Sequence, residues 1–460
     1  MPEPPEETTA RGERTRQSAP LLARVGLDRP ELRAWAMYDW ANSAFMTVIV
    51  TAVFPIYYAS VASQGLGRTQ ATYYYATATT ISLAVIAVLS PILGAIADFR
   101  ASKKRFLFIF LTLGVTTTGL LFFVRQGDWL AGLVLFAMAN VGVNGSYVFY
   151  DALLPHIAGD DEMDRVSSAG YALGYLGGGI MLLLSLIVIL KPALIGIAPG
   201  TSSTLPARLS FLATALWWAL FAIPLFRRVP EPPMTRERDE MVGTVAAIRA
   251  SITRLAETLR ELRGFRYAFL LLVASLIYSD GINTIIRMAA VYGTEIGIPQ
   301  NAQIAAIVMV QFVGIPFAFL FGMLASRIGA KRAIFIGLAV YAVISILGYF
   351  MHTTLHFFLL AFLVGTVQGG TQALGRSLFA SMVPRHKSGE FFGFYAVFER
   401  FGAIIGPLVF GAVVAATGSS RLAILSIISF FVVGAGLLTL VNVEEGQRAA
   451  RLADEGVVRV

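Results

Sequence analysis

The run AMYDWANSAFMTVIVTAVFPIYY, residues 36–58, is oily enough over most of its length to cross a bilayer, yet Asp39 and Asn42 sit in its first turns. An ionisable side chain at mid-bilayer costs roughly 2.5–3.5 kcal/mol, so its presence needs a reason. The pattern recurs. Asp39-Trp-Ala-Asn42-Ser43 in this run is matched by Asp280-Gly-Ile-Asn283-Thr284 in a later apolar run. Residues three apart share a helix face, so each copy presents a carboxylate and an amide side by side. Two such pairs at corresponding places predict a chain made of two related halves, each a set of membrane helices.

Composition agrees. The 460 residues are 56% hydrophobic and 14% charged, with mean hydropathy +0.70, whereas soluble domains carry about 25% charged residues. A spanning helix needs about 20 mostly apolar residues. Twelve runs qualify, at 35–61, 71–97, 105–124, 129–153, 166–190, 207–227, 266–292, 300–326, 333–352, 356–382, 390–416 and 421–443. The expected fold class is an all-α membrane protein of twelve transmembrane helices in two pseudo-symmetric six-helix bundles. Of the 36 Lys and Arg residues, only Arg68, Arg125, Lys191, Arg208 and Arg421 fall on one side, and Arg287, Arg376 and Arg400 fall within runs. All others lie in the tails and alternate loops, so both termini are expected in the cytoplasm. The net charge of +8 is this sidedness bias, and no nucleic-acid partner is expected. With no cysteine, disulfides and thiolate sites are excluded. Residues 1–34 begin PEPPEETTARGERTRQSAP after Met1, have no signal-peptide core, and are expected as a disordered cytoplasmic tail, with the first run as its own insertion signal.

A polar break divides the runs six and six. Residues 228–264 open with RVPEPPMTRERDE and continue with an apolar stripe, Val242, Val245, Ile248, Ile252, Leu255, Leu259 and Leu262. That spacing predicts an amphipathic linker helix, with Arg249, Arg254, Arg260 and Arg263 able to face anionic headgroups. The expected units are therefore a bundle at 35–227, the linker, a bundle at 265–443 and a cytoplasmic tail at 444–460. The loops repeat as well. Gly94-Ala-Ile-Ala-Asp98-Phe-Arg-Ala-Ser-Lys103-Lys104-Arg105 follows the second run and Gly322-Met-Leu-Ala-Ser326-Arg-Ile-Gly-Ala-Lys331-Arg332 the eighth; runs four and ten end at Pro155 and Pro384.

Polar residues inside spans face a bundle interior or an aqueous path. The candidates for a substrate or proton path are Asp39, Asn42, Asn140, Asn144, Tyr147, Asp280, Asn283, Arg287, Gln368, Gln372, Arg376, Glu399 and Arg400. Asn140, Asn144, Tyr147 and Asp151 lie on one helical face, as do Gln368, Gln372 and Arg376. A carboxylate away from water can serve as a proton carrier; it can equally satisfy a neighbouring helix or pair with an Arg. The glycines at 170, 174, 177–179, 402 and 406 predict close packing of the fifth and eleventh helices. His156, His352, His356 and His386 lie near loop ends with no metal-binding spacing, and no phosphate-binding loop is present. No cofactor, metal or enzymatic activity is expected.

The Gly94 to Arg105 loop resembles the cytoplasmic loop motif of the major facilitator superfamily. On that resemblance Gly94, Asp98, Lys103, Lys104 and Arg105 form a cytoplasmic gate, weaker in the second copy where Ser326 replaces Asp. The Gly170–Gly179 run is loosely similar to the superfamily's antiporter motif, with Tyr175 in place of its proline. Tyr38-Asp-Trp-Ala-Asn-Ser-Ala-Phe45, Phe54-Pro55, Gln368-Gly-Gly-Thr-Gln-Ala-Leu-Gly-Arg376-Ser377, Glu390-Phe-Phe-Gly-Phe-Tyr395, Glu399 and Gly406-Pro407 together resemble the vacuole-effluxer-like branch, the autophagy-related amino-acid exporters. Gly375 stands where that branch has serine. The resemblance implies twelve helices whose halves rock around a midplane site, secondary transport, and amino-acid export in the fungal members. An amino acid's carboxylate would then meet Arg376 or Arg287 and its amine Asp39 or Asp280. The expected partners are a small polar solute, the bilayer and a coupling proton, with the chain a monomer in a bacterial inner membrane. Tyr147, Tyr150, Gln368 and Gln372 keep a sugar open, a drug-like cation is another substrate class, and a non-transporting sensor is the alternative of a different class.

Overall fold

The computed structural model describes residues 27–99, 102–158, 163–197, 204–231, 259–384 and 403–458, together with 253, 256, 257, 391, 394 and 395. Twelve helices among them correspond to the apolar runs: α1 (Pro30–Ala62), α2 (Arg68–Phe99), α3 (Lys103–Phe123), α4 (Trp129–Asp151), α5 (Met163–Leu190), α6 (Leu205–Arg228), α7 (Arg266–Glu295), α8 (Gln300–Ile328), α9 (Ala330–Tyr349), α10 (Thr354–Ser381), α11 (Ile405–Thr417) and α12 (Ser420–Thr439). No strand occurs among the described residues. Ten of these helices, taken over the described residues, are long and apolar enough to cross a membrane by length and composition, and α11 is a shorter apolar helix.

Helix α1 begins at Pro30, not at 35 as the hydropathy predicts. Proline fixes φ and has no N–H to lose in a first turn, and Glu31 beside it suits the positive end of the helix dipole. The polar first turns are thus helical before the apolar run starts, which places Asp39 in the third turn. Further along, α1 leaves regular geometry twice. Met46–Ala52 and Tyr58–Ala62 are π-helical: Val53 N–H donates to Val48 O, and Ser63 N–H to Tyr58 O at 2.9 Å, each reaching back five residues. Pro55 lies between them and has no N–H for the carbonyl four residues earlier.

Each half packs as a bundle. In the first, α1 lies on α5 and α6, α3 on α4 and α6, and α2 on α4; in the second, α8 lies on α10, α7 on α12, and α9 on α10 and α12. The halves meet chiefly through α2 with α11 and α1 with α7, and also through α5 with α8. The loop repeat has a structural counterpart in both bundles. Lys104 is the second residue of α3 and its Nζ donates to Phe226 O at 2.9 Å and Val229 O at 2.7 Å, at the end of α6. Lys331 is likewise the second residue of α9 and its Nζ donates to Thr439 O at 3.1 Å and Val441 O at 2.7 Å, at the end of α12. A cation here satisfies orphan carbonyls and suits the negative helix end. In the first bundle the tie is reciprocal, because Glu231 accepts from Lys104 N–H at 3.0 Å. Lys104, expected at a gate, is thereby held within its own bundle.

After α12 the chain forms a further helix, α13 (Val443–Val458), where the residue pattern alone suggests only a polar tail. Its Ala450 is buried and Gln447 Nε2 donates to Ser381 Oγ at 3.1 Å, at the end of α10. Residues 259–264 are helical, with Leu262 buried; apart from Leu259, the rest of the linker stripe lies outside the described residues.

Candidate functional site

The two Asp-x-x-Asn-[Ser/Thr] copies occupy equivalent places. In α1, Asp39 and Ser43 are four apart and turn toward α5, where a Cβ added at Gly174 would come within 2.6 Å of Ser43 Oγ and one at Gly170 within 2.6 Å of Asp39 Oδ2. In α7, Asp280 and Thr284 turn toward α11, where a Cβ at Gly406 would strike Thr284 Oγ1 and come within 2.7 Å of Asp280 Oδ1. The expected close packing of the fifth and eleventh helices is this contact. The partners of the two carboxylates differ. Tyr150 OH of α4 donates to Asp39 Oδ2 at 2.9 Å, and the Tyr150 ring stacks on Trp35 at 4.4 Å between centroids. Asp280 Oδ2 accepts from Gly406 N–H at 2.7 Å.

The amides diverge as well. Asn42 is fully buried and its Oδ1 accepts from Tyr147 OH at 2.8 Å, so α1 and α4 join through two phenol bonds. Asn283 instead lines a cavity of about 350 Å³. That cavity lies where the two bundles meet: Ser43, Thr47 and Thr51 of α1 and Tyr171 and Tyr175 of α5 face Asn283, Tyr292, Gln311, Gln368 and Gln372 of the second bundle, with Met, Ile, Val, Leu and Phe side chains between them. Among the described residues that line it, none is Asp, Glu, Lys or Arg.

Three of the path candidates, Asn283, Gln368 and Gln372, therefore come together on the cavity wall. Asp39, Asn42 and Tyr147 form the α1–α4 contact behind it. Asn140 and Asn144 turn back on their own helix, donating to Phe136 O at 3.4 Å and Asn140 O at 2.8 Å. Arg376 is exposed and reaches across the bundles, its Nη1 donating to Tyr171 OH at 3.4 Å. Lys103 Nζ lies 3.0 Å from His156 Nε2, and Arg105 is exposed. Glu399 and Arg400 lie outside the described residues, as do the surroundings of Gly94 and the Asp98 side chain.

Asp280 and Arg287 stand apart from the rest. They lie two turns apart on α7, 2% and 8% exposed, and are not in ion-pair contact. Asp280 Oδ1 and Arg287 Nη1 are both buried without a hydrogen-bond partner. Buried charge is costly unless paired and hydrogen-bonded, so this pair is a reserve of unsatisfied polarity one turn either side of the cavity-lining Asn283.

Sequence reasoning missed Ser43, Thr47 and Thr51. Their four-residue spacing along the first span is a readable hydroxyl stripe. Tyr171 and Tyr175 carry no sequence signal beyond the glycine motif that contains them.

Comparison with known proteins accords with this architecture. The family described as "Vacuole effluxer Atg22 like" matches residues 65–451. The MFS-type transporter YxiO of Bacillus subtilis (strain 168) is 39% identical over 412 residues, 89% of this chain and 94% of its own. Autophagy-related protein 22 of Yarrowia lipolytica is 24% identical over 459 residues, 82% of this chain and 76% of its own. Among solved structures, the D-xylose-proton symporter superposes with TM-score 0.65 at 14% identity, covering 90% of this chain and 96% of that one. A mutant of the nucleoside transporter NupG gives TM-score 0.63 at 15% identity, covering 90% and 100%. The chain is an integral membrane protein of the major facilitator fold, a transporter and not an enzyme, and it belongs to the vacuole-effluxer Atg22-like family.

Proposed function

We propose that the protein is a secondary active transporter that moves a small polar solute through the inter-bundle cavity by alternating access, driven by a proton carried on Asp280. The observation that supports this most directly is the cavity itself, walled by hydroxyls, phenols and amides from both bundles. A site at the seam of two bundles is exposed to one side or the other as they rock. Asp280 is the proton carrier of choice because one oxygen is fixed by Gly406 N–H and the other is buried without a partner. Protonation relieves an unpaired charge, and Arg287 on the same face supplies a nearby counter-charge.

The family relation favours an amino acid or related metabolite, moved outward as in an effluxer. One observation favours a second reading, an uncharged hydroxylated solute. The described lining carries no charge, whereas a zwitterion shedding water needs partners for both its ends.

Counterflow in proteoliposomes separates these readings. Labelled amino acids, sugars and nucleosides are tested in turn, with and without an imposed pH gradient. Transport of at least one is expected, accelerated by the gradient. Asp280→Asn is expected to keep counterflow and lose the gradient's effect, because the amide still accepts from Gly406 N–H but carries no proton. Gradient-driven uptake that persists in Asp280→Asn would remove Asp280 from the coupling role. No counterflow of any solute by folded protein would refute the transport reading of the cavity.

A further inference from the structure

The geometry points to a latch at the end of the bundles remote from the basic loops, built on Glu295, that holds this end of the transport path shut. Glu295 is the last residue of α7. Its Oε2 accepts from Thr72 Oγ1 of α2 at 2.5 Å and from Ser420 Oγ of α12 at 2.6 Å. Its backbone oxygen accepts from Arg68 Nη1, at the start of α2, at 3.2 Å. One residue of the second bundle is thus tied twice to α2 of the first and once to α12 of its own. Thr72 and Ser420 are each 1% exposed, so the hydroxyl ends of these bonds are shielded from water, while Glu295 itself is half-buried. Hydrogen bonds to a charged acceptor are worth more than neutral ones.

The division of labour is specific. The Ser420 bond lies inside the second bundle and aims the carboxylate. The Thr72 and Arg68 bonds cross between bundles and must break when this end opens. Directly beneath, one turn along α2 from Thr72, Ala76 is fully buried and packs on α11, where a Cβ added at Gly411 would sit 3.4 Å from its own. The polar latch therefore closes over a close apolar seam. Toward the basic end, the bond from Arg376 to Tyr171 that also crosses between the bundles is longer, at 3.4 Å, and joins exposed side chains. The crossing bond from Thr72 to Glu295 is shorter and drier, whereas that from Arg68 is exposed.

No substrate is needed to test this. The chain has no cysteine, so Ala76→Cys introduces a single thiol into the seam with little change of volume. Its rate of maleimide labelling in detergent reports how often the seam opens. Thr72→Val removes the crossing hydroxyl and keeps the shape; it is expected to raise the labelling rate roughly tenfold, the ratio that corresponds to ~1.4 kcal/mol. Ser420→Ala leaves the crossing bonds in place and is expected to raise the rate far less. Glu295→Gln keeps an oxygen acceptor for Thr72 and is expected to stay closer to the parent than Glu295→Ala. If Thr72→Val and Ser420→Ala label alike, or Thr72→Val labels no faster than the parent, Glu295 is not a latch. Because transport is not the readout, failure here leaves the cavity reading intact, and failure of counterflow leaves this one intact.

Discussion

Asp39 and Asp280 each face a helix in which glycine leaves room for the carboxylate and for the hydroxyl four residues on. The opposing effects of adding a methyl at such a glycine can be weighed. Alanine is better than glycine in a helix interior by about 1 kcal/mol, but forcing a methyl into a filled site costs typically about 1–3 kcal/mol. At Gly406, the Cβ would meet Thr284 and Asp280, both held by hydrogen bonds; at Gly174 it would meet Ser43 and come within 3.4 Å of the backbone oxygen of Asp39. Gly179 has nothing within 4 Å. Gly174→Ala and Gly406→Ala are therefore expected to lower the unfolding midpoint in detergent, by an equivalent of about 1–2 kcal/mol net, while Gly179→Ala leaves it unchanged or raises it. Equal effects at all three would mean that the glycines serve propensity alone. The carboxylate–glycine pairing is half legible in the sequence. The repeated Asp-x-x-Asn motif and the glycine runs both stand out, but nothing in one dimension joins Gly406 to Asp280 across 126 positions. Glu295 is illegible, because a charged residue at a helix end reads as loop polarity until its partners from two other helices are seen.

Among the helices, the twelve spans follow from hydropathy, because each must fill the bilayer with apolar side chains and satisfy its own backbone, and their two-fold repeat from the paired Asp-x-x-Asn and loop motifs. What hydropathy cannot report is departure from regular winding. The π-helical turns of α1 put Thr47 and Thr51 on the cavity wall, and such turns recur at functional sites. The helix ends carry the clearest test of the repeat. Lys104 and Lys331 each bind two carbonyls at the end of the sixth helix of their bundle. A cation at a helix C-terminus is worth about 0.3–1 kcal/mol, more when partly buried. Lys104→Met and Lys331→Met are each expected to lower unfolding stability by about 1 kcal/mol. Since they sit in different bundles and share no partner, the double variant should lose the sum within about 0.5 kcal/mol. A double variant no worse than either single would mean that the two bundles do not use these lysines in parallel.

At the scale of the whole molecule, the polar walls of the cavity come from both bundles while the Glu295 contact closes one end. A solute in the cavity must then shield residues that no single bundle encloses. Gln372 tests this, since it lies on the wall in α10, with Tyr171 and Gly174 of α5 on the wall from the other bundle. In the cysteine-free chain, Gln372→Cys is expected to react with a small thiol reagent at a rate set by the open cavity. A transported solute at ten times its Kd leaves about one site in eleven empty, so labelling should slow roughly tenfold. The thiol of Ala76→Cys, sealed in the seam under the latch, is expected to respond differently, since its exposure depends on the opening of that end and not on direct cover by the solute. Protection of Gln372→Cys by a solute that leaves Ala76→Cys unprotected would place the solute in the cavity. If saturating solute leaves Gln372→Cys labelling unchanged, that solute binds elsewhere, and the inter-bundle cavity loses its claim to be the transport site.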